Sequence, residues 1–436
     1  MGTVAKPQLQ EPVSPRRPWY RYLAGIGPGL VVSLGSLGPR DIVSNSVAGS
    51  NAGYSLLWVL LVSLVIRMTM LDASARYTLV TGETLLAGCG RLNPWVVRVW
   101  FVVTILRRHA GQLLTLSLLG TAAHMVFPLS MPRSAAVWSL ISWIAAFTLV
   151  CWGRYPLIDT LSKPLMLLTG GCVALTAILS KPDLGSLASG ILHPVLPTDT
   201  TFYSPWLVIM GILAATMGSI SSIRYSAAVL EKGWRSPAFL RQQRIDLLLS
   251  LLGMFTIFAL MQIAAAGALQ PRGIHVRRLE DIAPIFSTVF GGAGVLLFGA
   301  TLWCVTFAGS TATDTAYGIM LSDVYYRFVR PSRKVIEEEK PAGSLPAYRL
   351  IIAYSFLSPL YVLLTKWSVV SLLYVVLGVN LLMVPVVAMM ILRLTSDRTI
   401  MGAYVNHRFT NVVLALAVVC ALFLAGKGLL DLFKGT

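Results

Sequence analysis

The sequence predicts an all-α polytopic membrane protein in which two of the helices are broken midway. Three observations carry this. Of the 436 residues, 56% are apolar and 12% charged, against roughly a quarter charged in soluble domains. Mean hydropathy is +0.73. The apolar residues fall into about eleven segments, each long enough for the ~20 residues that cross hydrocarbon. Two of those segments are interrupted by glycine, hydroxyl residues and charge: Leu34 to Asn45, LGSLGPRDIVSN, and Met217 to Ser226, MGSISSIRYS.

The first interruption defines the rest. Pro39 removes a backbone donor, and Gly35 and Gly38 tolerate unusual conformations, so a helix starting near Tyr22 should unwind near Gly38. Unwound backbone persists at membrane depth only where it lines protein or a wet cavity. Transporters use such breaks to aim half-helix ends, free amides and free carbonyls at a substrate near the midplane.

In chain order, residues 1–20 are Pro-rich and basic without an apolar signal core, and read as a cytosolic tail. Residues 21–436 form one transmembrane domain, with no separate soluble domain. The apolar segments lie at about 22–51 (broken), 54–74, 95–127, 135–152, 157–180, 205–230 (broken), 241–269, 284–322, 348–365, 367–392 and 409–433. The breaks are five helices apart, the spacing of two inverted five-helix repeats, about 22–180 and about 205–392, followed by one extra helix at about 409–433.

Assigning loops alternately from a cytosolic N-terminus puts about 22 of the 35 Lys and Arg on that side, which places the C-terminus outside. The loop at 231–246 contributes Lys232, Arg235, Arg241 and Arg244, and that at 327–349 contributes Arg327, Arg330, Arg333 and Lys334. The net charge of +17 is therefore a topology signal, and nucleic acid is not an expected partner. The absence of a eukaryotic targeting segment points to a bacterial inner membrane. The five cysteines are scattered singly and read as packing residues.

Three blocks resemble one family. GPGLVVSLGSLGPRDIVSNSVAGSNAGYSLLWVLL (Gly27 to Leu61), DASARYTLVTGET (Asp72 to Thr84) and TSDRTIMGAYVNHRFTNVV (Thr395 to Val413) are similar to the NRAMP (natural resistance-associated macrophage protein) divalent-metal transporters, and the likeness runs from Gly27 to the C-terminus. The resemblance implies a LeuT-type fold with the substrate site between the first and sixth helices. The chain departs from the family where the family holds metal. The first-helix signature Asp-Pro-Gly-Asn is aligned with Gly38, Pro39, Arg40 and Asp41, and the sixth-helix Met-Pro-His with Gly218, Ser219 and Ile220. The soft thioether ligand is thereby absent. Third-helix acids associated with proton movement are aligned near Arg107, Leu114 and Ser117.

Read by their own chemistry, the site residues point to a small anion. A unit charge about 5 Å from a divalent ion repels it by about 6–7 kcal/mol at an effective dielectric of about 20, and Arg40 is such a charge. Arg40, Arg224 and the amides opening the second half-helices would neutralise an anion. Gly38 and Asp41 shape the turn, and the hydroxyls of Ser36, Ser219, Ser221, Ser222 and Tyr225 donate to it. The expectation is a secondary transporter of a small inorganic anion, bicarbonate first, with nitrate, chloride and short carboxylates open.

The alternative is an NRAMP-type carrier of Mn²⁺, Fe²⁺ or Mg²⁺ in which Asp41 and backbone carbonyls hold the ion while Arg40 points away. A receptor or scaffold that has lost transport is a third reading. Pathway or coupling roles fall to Arg107, His109 and Asp314, the last within GSTATDT (Gly309 to Thr315), where Na⁺ or proton coupling stays open. Small hydroxyl residues of that kind also serve simple helix packing. Arg67 and Asp72 read as a structural or gating pair. No phosphate-binding loop, paired-His motif or nucleophile elbow is present, so neither an enzyme nor a cofactor is expected. The sequence leaves the oligomeric state open.

Overall fold

The computed structural model describes residues 38–131, 133–152, 156–196, 203–332, 342–365 and 367–433. The expected N-terminal tail, the first half of the first helix and Ser36 lie outside the described residues. Within them the secondary structure is wholly helical, without strands.

The first half of the chain supplies α1 (Pro39–Ala52), α2 (Leu57–Thr81), α3 (Leu85–Leu92), α4 (Pro94–Val126), α5 (Ser134–Trp152), α6 (Pro156–Leu179) and α7 (Leu184–Leu192). The second half supplies α8 (Pro205–Thr216), α9 (Ser219–Glu231), α10 (Leu240–Ala268), α11 (Ala283–Phe290), α12 (Gly294–Val324), α13 (Pro346–Leu357), α14 (Val369–Leu381), α15 (Met383–Thr395), α16 (Arg398–Met401) and α17 (Arg408–Phe433).

Eight spans among the described residues are long and apolar enough to cross a bilayer, or nine if a pair of helical pieces bent by 113° between Leu179 and Leu184 is one span. The sequence suggested eleven. The difference lies in the first segment, largely outside the described residues, in the bent pair, and in α4, whose Arg98, Arg107 and Arg108 interrupt its apolar run.

The start of α1 and the second expected break each have a local cause. At the first, Gly38 is extended (φ −79°, ψ 150°), Pro39 opens the helix, and the Asp41 carboxylate accepts the Gly38 N–H at 3.1 Å. An acid in the first turn satisfies an orphan donor and complements the helix dipole. At the second, α8 ends at Thr216 and α9 begins at Ser219, with Gly218 between them at φ +62°, ψ 44°, a left-handed conformation that side chains resist.

Around these breaks the helices pack into one core. α1 is buried from Ile42 to Ala52 and lies against α10, α8 and α14. Its approach to α10 needs Gly49, where a Cβ would stand 2.2 Å from the Gln262 carbonyl oxygen. α2 packs on α9 and α10, and α4 runs beside α12 and α5.

Candidate functional site

Three helices meet at the breaks. From the head of α1 project Arg40 and Asp41, neighbours in sequence and therefore about 100° apart around the helix. Asp41 interacts electrostatically with Arg40 and with Arg67 of α2. Arg40 interacts electrostatically with Asp41 first, and also with Tyr317 of α12 and with Arg107 and Arg108 of α4.

Arg67 clamps the second break. Its Nη1 donates to the Thr216 carbonyl at 2.7 Å, capping the end of α8, and Ser63 one turn earlier hydrogen-bonds the Thr216 hydroxyl. A Cβ on Gly218 would lie 2.9 Å from the Arg67 guanidinium carbon. Arg67 thus fills the space into which a side chain at position 218 would project. The expected Arg67–Asp72 pair is not formed. Five residues on a helix are about 140° apart, so the two side chains diverge. Asp72 instead accepts from Arg244 of α10 at 2.8 Å and lies 3.6 Å from Arg76. The sequence signal for Arg67 was its place deep in an apolar run, LVIRMTM, where intramembrane charge marks function.

A second polar cluster surrounds Tyr317. Arg108 forms a buried ion pair with Asp314, and Gln112 Nε2 donates to both Asp314 oxygens at 2.9 and 3.1 Å. Arg107 donates to Asn380 Oδ1 of α14 at 2.6 Å and to the Tyr317 hydroxyl. Both guanidinium carbons stand over the Tyr317 ring, at 5.4 and 5.1 Å from its centroid. Asp314, considered as a Na⁺ ligand, therefore has both oxygens engaged by protein donors.

The remaining expected site residues separate. Ser219 and Ser222 on α9 are buried, Ser221 and Tyr225 are half-buried, and Arg224 is exposed. Tyr225 packs on an apolar cluster of Ala75, Leu79 and Val229. His109 hydrogen-bonds Ser358 at 2.9 Å and Tyr361 at 3.2 Å and stacks on the Tyr361 ring, so it belongs to the α4–α13 contact. Among the described residues no three His, Cys, Asp or Glu side chains gather as a metal cluster. A bound cation would rest on Asp41 together with carbonyl, hydroxyl, amide and water oxygens.

A buried helix that begins at Pro39 and an apolar helix broken at Gly218 are the elements of a broken-helix membrane transporter. The chain belongs to the natural resistance-associated macrophage protein-like family, whose description it matches over residues 29–431. It is 26% identical to the divalent metal cation transporter MntH of Aeromonas hydrophila over 90% of this chain and 92% of that protein. It is 25% identical to the divalent metal cation transporter MntH of Bacillus subtilis, over 94% and 92%.

Among solved structures, it is similar to the Eremococcus coleocola manganese transporter, with TM-score 0.67 at 17% identity over 94% of this chain and 87% of that one. It also resembles Mhp1, a nucleobase-cation-symport-1 family transporter, with TM-score 0.52 at 12% identity over 92% and 93%. The fold is thus the LeuT-type arrangement expected from the sequence.

The small-anion expectation, bicarbonate included, is corrected by these findings: the full-length relatives are divalent metal cation transporters and the structural neighbour is a manganese transporter. The sequence argument failed on where the guanidinium groups point. Arg107 and Arg108 are held by Asn380, Tyr317 and Asp314, Arg224 is exposed, and Arg40 has Asp41 as its first electrostatic partner.

Proposed function

We propose that this chain carries a divalent metal cation across a bacterial inner membrane by alternating access. Asp41 is its anionic ligand, and free backbone carbonyl oxygens and bound water complete the shell. The observation that carries this reading is the similarity, over most of both chains, to divalent metal cation transporters. Asp41 stands at the head of α1, where its carboxylate accepts the Gly38 N–H at 3.1 Å and interacts electrostatically with Arg40 and with Arg67 of α2.

The donor set also narrows the substrate. Gly218 supplies no thioether, and Arg67 occupies the space above it. The oxygens around Asp41 suit a hard ion that keeps part of its water, Mg²⁺ or Mn²⁺, and the buried thioether of Met217 is a softer group beside the second break. The broad overlap with metal-transporting relatives supports the same class.

Uptake of Mn²⁺ and of Mg²⁺ into proteoliposomes, read with entrapped metal-sensitive dyes, tests the proposal. Wild type should transport at least one of them, and Asp41→Asn, which keeps the shape and loses the charge, should reduce uptake at least tenfold. Absence of uptake of both ions by well-folded wild type, or full activity in Asp41→Asn, would overturn it.

A further inference from the structure

The apolar span made by α14 and α15 ends at Thr395. Residues on both sides of that boundary open a groove of about 370 Å³, lined by Met389, Leu392, Arg393, Ser396 and Asp397. Its two levels differ in chemistry. Met389, 54% exposed, lies four residues before Arg393, about 6 Å further into the apolar span, and presents a thioether chain to the hydrocarbon side. Arg393 and Asp397 stand where the span ends, at the depth of lipid headgroups.

The two charges are placed side by side without being used up by the protein. Arg393 is exposed in the last turn of α15 and forms no ion pair among the described residues. Asp397 caps α16. The Thr399 amide and hydroxyl donate to it at 2.8 and 2.6 Å, both to Oδ1, so Thr399 leaves Oδ2 uncovered. Arg393 is close enough to interact with the carboxylate electrostatically. Asp397 is also the only acid in the sequence between Glu339 and Asp431, in a loop that carries Arg393, Arg398 and Arg408. Ser396 Oγ donates to Asn411 Oδ1 at 3.1 Å and ties the groove to α17.

A cation and an anion together, beside an apolar wall at the membrane boundary, call for an amphiphile that bears both charges. A guanidinium pairs with a phosphate through two parallel N–H donors. A carboxylate oxygen accepts from a primary ammonium, whereas a quaternary ammonium has no N–H to offer. A head with a phosphate and no cation would satisfy Arg393 and be repelled by Asp397.

We propose that the groove at the end of α15 binds a phospholipid with a phosphoethanolamine head, its phosphate on Arg393, its ammonium on Asp397 Oδ2 and an acyl chain along Met389. The site is independent of the transported ion and of Asp41.

The test is native mass spectrometry of the purified full chain in detergent, titrated separately with phosphatidylethanolamine, phosphatidylcholine and phosphatidylglycerol of matched acyl chains. Wild type, Arg393→Gln and Asp397→Asn are compared, with Tm measured without lipid. Arg393 is exposed and Asn retains the oxygen that caps α16, so both variants should unfold close to wild type. Wild type should bind the ethanolamine lipid about tenfold more tightly than the other two, the worth of one charge-assisted hydrogen bond. Arg393→Gln should weaken that binding about tenfold, by the same reckoning. Asp397→Asn should abolish the preference over phosphatidylglycerol. Equal affinity of wild type for the three lipids, tighter binding of phosphatidylglycerol, or a wild-type preference retained in both variants would overturn the proposal. The wild-type ordering decides by itself if a variant does not fold.

Discussion

Replacing Arg108 by methionine isolates the most deeply buried charge pair among the described ion pairs. The Arg108 side chain is 9% exposed and Asp314 0%. Removing one member of a buried pair leaves the other charged and uncompensated, at a typical cost of about 3–5 kcal/mol. Here Gln112 continues to donate to both Asp314 oxygens, which places the loss near the lower end. Losing the guanidinium from the Tyr317 face adds about 1 kcal/mol. A total of about 4 kcal/mol, spread over a chain of this length, corresponds to a fall in apparent Tm of about 5 °C.

The assay is thermal unfolding of purified protein in detergent, followed by tryptophan fluorescence or by the monodisperse fraction on size exclusion. The double variant Arg108→Met/Asp314→Leu removes both charges and should recover most of the loss, because well-packed apolar replacements of buried pairs are often neutral. An unchanged Tm in Arg108→Met, or a double variant less stable than the single one, would refute the reasoning.

Gly218→Ala should destabilise the second break twice over, through the left-handed backbone at about 1–2 kcal/mol and through a Cβ 2.9 Å from the Arg67 guanidinium carbon; lower Tm and reduced cation uptake are the readouts. Gly49→Leu should prevent assembly, since even its Cβ would lie 2.2 Å from the Gln262 carbonyl oxygen, and the check is loss of a monodisperse peak on size exclusion. Outside the membrane, the Thr399 hydroxyl and amide donate to Asp397 at 2.6 and 2.8 Å and hold its carboxyl below the usual value. A depressed folded-state pKa means stabilisation that is present above the unfolded pKa and lost as pH falls through the folded one. The Tm difference between wild type and Asp397→Ala should therefore persist at neutral pH and shrink in acid.

Much of the architecture was legible in the residues because it depends on local chemistry. Pro39 after Gly38 cannot continue a helix, and the head of α1 begins there. The Met217–Ser226 stretch gave the second break, and its Gly218 takes the left-handed conformation that makes it possible. Apolar segment lengths and the three similar blocks gave membrane class, fold and family.

Partners across the core were not legible. Arg108 and Asp314 are 206 residues apart in sequence, and Arg67 reaches Thr216 across 149. Which polar side chains meet depends on how α4, α12 and α14 are rotated about their axes. In a soluble protein the polar face of a helix reports that rotation; in a bilayer the lipid-facing and core-facing sides are both apolar, and the signal fades.

The substrate expectation went astray for the same reason. By itself the sequence determined where the helices break and which charges stand beside the breaks, since these follow from proline, glycine and composition. Only the tertiary structure decided where those charges point. Arg107 and Arg108 are adjacent in the chain, yet one donates to Asn380 of α14 and the other pairs with Asp314 of α12, because consecutive residues on a helix are turned by about 100°.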